Sequence, residues 1–84
     1  MDTKTYENDL HKAKPNDEVQ HSEIDPRTGY QFITTSGHGY LVVPKTDKNA
    51  SIAEKICEYG YNTELAFYLE EDCEYSEFMQ AIKI

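Results

Sequence analysis

Large apolar side chains are sparse over residues 1–28 and concentrated over residues 29–84. The chain therefore reads as a polar, mobile lead-in, residues 1–17, ahead of one small domain, residues 18–84. Tyr6, Leu10 and Ala13 share one helical face, but so little apolar surface does not hold a short helix by itself. Val19 to Ile24 reads as a short edge strand. Asp25-Pro26-Arg27-Thr28-Gly29 is a turn: Pro26 presets φ, Asp25 bonds the backbone two residues on, and Gly29 relieves the exit. Tyr30 to Thr35 is rich in β-branched and aromatic residues and predicts a strand. Ser36-Gly37-His38-Gly39 predicts a tight turn with positive φ on its glycines. Tyr40 to Val43 is the returning strand of that hairpin, closed by Pro44.

Helical periodicity follows. Ser51 and Glu54 have the spacing of a capping box. Ile52, Ile56 and Tyr59 fall on one face, and Gly60 has the character of a C′ residue. A helix over about 51–59 is the expectation. Leu65 to Leu69 is continuously apolar, as in a strand covered on both faces or central in its sheet. Asp72 is a good N-cap for a second helix, about 73–82. There Tyr75, Phe78, Met79 and Ile82 make an amphipathic stripe, and Lys83 suits the helix dipole. The predicted fold is α+β, a small, mainly antiparallel sheet of two to four strands with two helices. The order is (β)ββ-α-β-α, and the sheet's second face is left open or used for dimerisation.

Charge narrows the partners. The 84 residues carry a net charge of −8, and residues 51–84 hold eight acids against two bases. Phosphate contacts need cations, so direct nucleic-acid binding and adsorption to anionic membrane are disfavoured. A protein with a basic surface is the favoured partner. No run approaches the ~20 apolar residues of a membrane span. Met1-Asp2-Thr3-Lys4 lacks the apolar region of a signal peptide. A cytoplasmic setting follows, with Cys57 and Cys73 reduced.

The acid concentrates in Glu70, Glu71, Asp72 and Glu74, with Glu77 one turn on. Helix-start electrostatics explains Asp72 and Glu74, each by ~0.3–1 kcal/mol. Glu70 and Glu77 are surplus to it, and the five residues together form the expected acidic binding face. The block lacks the alternating spacing of a calcium loop. No metal-ligand set and no cofactor are assigned. Cys73 sits among carboxylates that work against a reactive thiolate. Cys57 reads as a half-buried core thiol. His38, at the hairpin tip, has no fixed partner in sequence. Tyr61, Tyr68 and Tyr75 are the candidate aromatic contacts, because tyrosine is enriched at interfaces. No catalytic residues are assigned.

Thr35-Ser-Gly-His-Gly-Tyr-Leu-Val-Val-Pro44 and Leu69-Glu-Glu-Asp-Cys-Glu-Tyr75 together resemble short uncharacterised proteins of bacterial phages and mobile elements. The resemblance spans roughly residues 30–80 and implies a setting, inhibition of host nucleic-acid machinery, without any site residue. The expected function is therefore a small acidic, non-enzymatic protein-binding module. Its specific form is an inhibitor that occupies a basic, nucleic-acid-binding surface of a host protein. The alternatives are a metal-dependent or hydrolytic small enzyme using His38, Cys73 and the acidic block, and a structural domain that homodimerises through its sheet.

Overall fold

The computed structural model describes residues 3–82. Helix α1 (Thr3–Ala13) is followed by β1 (Val19–Ile24), β2 (Gln31–Thr35), β3 (Gly39–Pro44) and α2 (Ala50–Ile56). The short β4 (Tyr61–Asn62), then β5 (Ala66–Glu70) and α3 (Glu74–Ile82), complete the chain. The fold is α+β. Its five strands form one antiparallel sheet in the order β1-β2-β3-β5-β4.

The centre of the sheet explains the architecture. Alternate residues of a strand point to opposite faces. In β3 and β5, Leu41, Val43, Phe67 and Leu69 face α2 and α3, where they meet Ala53, Phe78 and Met79. Tyr40, Val42, Ala66 and Tyr68 point the other way, towards Tyr6 and Leu10. The continuous apolar run at 65–69 is therefore a strand buried on both faces.

The second face is where the structure departs most from expectation. Residues 3–13, expected outside the domain, form α1, and Tyr6 and Leu10 are buried on the sheet. Polar anchors assist them. The Tyr68 and Thr63 hydroxyls both donate to Asp9 Oδ2, each at 2.5 Å. The Gln31 side-chain amide donates to the Thr3 carbonyl at 2.9 Å. Tertiary packing thus supplies what local propensity does not. The face expected to be open or dimeric is covered.

Helix starts differ by one or two residues from the expected ones. Asn49, not Ser51, is the N-cap of α2, and its side chain makes no cap bond. Instead Asn49 Nδ2 donates to the Tyr30 hydroxyl at 2.9 Å, while that hydroxyl donates to Asp47 Oδ2. The Ser51–Glu54 capping box does not form. The helix ends at Ile56, with extended backbone at Cys57, so Gly60 is not its C′ residue and Tyr59 is exposed. Asp72 lies in the turn before α3 rather than at its cap. Lys83, expected in the last turn, lies outside the described residues.

The β2–β3 hairpin forms as expected, with the Thr35 N–H bonded to the His38 carbonyl at 2.8 Å. Its glycines do not supply positive φ, which falls on Gly29 (φ 79°) in the preceding turn. Gly39 answers to space: a Cβ there would sit 2.7 Å from the Phe32 ring.

Candidate functional site

Strand pairing brings the end of β5 and its turn into α3 alongside the β2–β3 tip. Tyr40 pairs with Glu70, and the Glu71 N–H donates to the Gly39 carbonyl at 2.9 Å. The consequence is that the acidic block does not present one face. It divides three ways.

Glu74 turns inward. It is 2% exposed, and its carboxylate accepts from the backbone N–H groups of Glu58, Tyr59, Gly60 and Glu70, the last two at 3.0 Å. It ties the 58–60 turn to the end of β5. Gly60 is required here, because a Cβ would collide with the Tyr68 carbonyl oxygen and Glu74 Oε1. Glu74 is therefore not part of a binding face. A buried carboxylate is tolerated because backbone donors satisfy it.

Glu71 turns outward onto a groove of about 380 Å³, lined by Glu23, Asp25, Pro26, Phe32, Glu71 and Tyr75. Phe32 and Tyr75 pack edge to face, with centroids 5.9 Å apart and planes at 89°. Glu23 pairs across the β1–β2 ladder with Phe32. The Tyr75 hydroxyl donates to Asp25 Oδ2 at 3.3 Å, and the Arg27 guanidinium reaches that hydroxyl at 3.5 Å. Aromatic surface beside three carboxylates favours an organic cation. Glu23, Asp25 and Phe32 were not expected at the site. They stand far from Glu71 in sequence, and only the sheet register brings them there.

Glu70 and Asp72 turn towards the hairpin tip. One imidazole nitrogen of His38 and one carboxylate oxygen from each acid lie within 4.8 Å of one another. His38 thus acquires partners that its Gly-His-Gly setting did not reveal. Glu77 is exposed in the first turn of α3, apart from these groupings.

The tyrosines divide as well. Tyr68 is fully buried, and burial, then its bond to Asp9, pushes its hydroxyl pKa well up. It is not a contact residue. Tyr61 is half-buried beside Tyr40, with Lys14 Nζ 5.6 Å from its ring. Of the expected aromatic contacts, Tyr75 alone lines the groove.

Both cysteines are free thiols. Burial, then the Glu74 charge, pushes Cys57 up to about 11. Cys73 is also raised, by desolvation and then by Glu70 and Glu74. Neither has the depressed pKa of a nucleophile. A second cavity, of about 470 Å³, lies towards the opposite end of β3, beside Thr3, Ile24, Tyr30 and Pro44. Its carboxylate, Asp47, is already committed to Tyr30 and the Asn49 N–H.

Compared with known proteins, the chain matches no family model, no curated protein and no solved structure. The functional reading rests on the geometry. Among the described residues, no helix is long and apolar enough to cross a membrane.

Proposed function

We propose that the protein is a non-enzymatic binding module that seats a basic segment of a partner protein in the Phe32–Tyr75 groove. The observation that carries this reading is convergence. Glu23 and Asp25, Phe32, and Glu71 and Tyr75 come from three separate stretches of chain and line one groove. A cation over an exposed ring gains ~0.5–1 kcal/mol, and more where water is excluded. Arginine fits better than lysine, since its planar guanidinium both stacks on a ring and forks to carboxylates. The chain's own Arg27 guanidinium already donates to the Tyr75 hydroxyl at the edge of this groove, at 3.5 Å.

The specific form is occupation of a nucleic-acid-binding surface, with carboxylates in the place of phosphates. The net charge of −8 supports it and opposes direct contact with DNA or RNA. An NMR titration with an arginine-rich octapeptide tests the reading. Shifts should centre on Phe32, Glu71 and Tyr75 and weaken with salt, while duplex DNA should produce none. Peptide-induced shifts spread evenly over all exposed acids, or none at all, would refute a groove-specific site.

A further inference from the structure

We infer that His38, Glu70 and Asp72 form a binding site for a divalent transition-metal ion, of which zinc is the type, distinct from the groove. The donors come from two turns far apart in sequence, the β2–β3 tip and the β5–α3 connection. All three ligand atoms already lie within 4.8 Å of one another.

The backbone beneath them is held from both sides. The His38 N–H donates to Thr35 Oγ1 at 3.0 Å, and the Thr35 N–H to the His38 carbonyl at 2.8 Å. Glu70 is fixed by pairing with Tyr40, and its N–H donates to the buried Glu74 carboxylate. Metal–ligand bonds of ~2.0–2.2 Å require neighbouring donors roughly 3.3 Å apart. Drawing them in takes small side-chain rotations, and His38 and Asp72 are exposed and unhindered by core packing. A closely held turn pair with adjustable side chains suits capture of an ion.

The donor set selects the ion. One imidazole and two carboxylates match zinc and its transition-metal neighbours, whereas magnesium and calcium take all-oxygen sets. Three protein ligands leave a position for water, as in open rather than closed zinc sites. Bound metal would clasp the hairpin tip to the start of α3.

The test uses the full chain, stripped with chelator and titrated calorimetrically with zinc, magnesium and calcium. One zinc should bind per chain, with magnesium and calcium at least 10-fold weaker. His38→Ala and Asp72→Asn, both surface changes, should each weaken zinc at least 10-fold with an unchanged circular dichroism spectrum. Glu23→Lys, in the groove, should weaken peptide binding about 10-fold and leave zinc in place, so the two sites can fail separately. No zinc binding, zinc binding that survives His38→Ala and Asp72→Asn, or equal affinity for magnesium would overturn the assignment.

Discussion

Glu74 is the residue on which the acidic end of the chain turns. Four backbone N–H groups converge on one buried carboxylate. Removing it strands donors that cost ~1–3 kcal/mol each where water cannot reach them. Glu74→Ala should therefore destabilise by about 3 kcal/mol, a shift in Tm on the order of 15 °C for a domain of this size. Thermal denaturation followed by circular dichroism checks this. Asp17 contributes a pH dependence. Burial pushes its carboxyl up, but the neighbouring Thr35 hydroxyl, bonds donated by the Ser36 hydroxyl and the Gly37 N–H, and the Lys14 charge outweigh it, and the pKa falls below the ordinary 3.8. A depressed folded pKa stabilises above the unfolded value and is lost as pH falls through the folded one. Part of the acid-unfolding limb below about pH 4 should disappear in Asp17→Asn. The raised thiols predict slow alkylation of both Cys57 and Cys73 at pH 8 until the chain unfolds, read by mass spectrometry with iodoacetamide.

At the scale of elements, α1 is the decisive piece. A chain starting at Pro15 would expose Ile33, Tyr40, Val42, Ala66 and Tyr68, the face that α1 covers. It should lose cooperative unfolding and bind a hydrophobic dye, where a dispensable lead-in predicts no change. Leu10→Ala, at a position 1% exposed, should cost about 2–5 kcal/mol. Much of this was present in the sequence. The unbroken apolar runs of β3 and β5 required cover on both faces, and Tyr6 and Leu10 were the remaining helical stripe. Judged alone, that stripe was too thin, because a helix held by tertiary contacts need not be stable in isolation. The hairpin, β1 and the α3 stripe were legible because their signals are local. The capping box misled for the opposite reason: a good local motif lost to the Tyr30–Asp47–Asn49 network, in which Tyr30 is distant in sequence from the helix start.

At the scale of the whole molecule, the negative charge is general and the groove is particular. The acidic block identified the right end of the chain but not its partition. Whether Glu71 faces out while Glu74 faces in depends on where the 58–60 turn lands, and whether Phe32 meets Glu23 depends on strand register. Neither leaves a trace in local sequence. The distinction also defines the sharpest test. Calorimetry with an arginine-rich octapeptide should compare Glu71→Lys, on the groove rim, with Glu54→Lys, an equal change of charge on exposed α2. Glu71→Lys should weaken binding about 10-fold, roughly 1.4 kcal/mol, and Glu54→Lys less than 2-fold. Equal losses in the two variants would mean that the peptide responds only to net charge, and the groove would have no part in recognition.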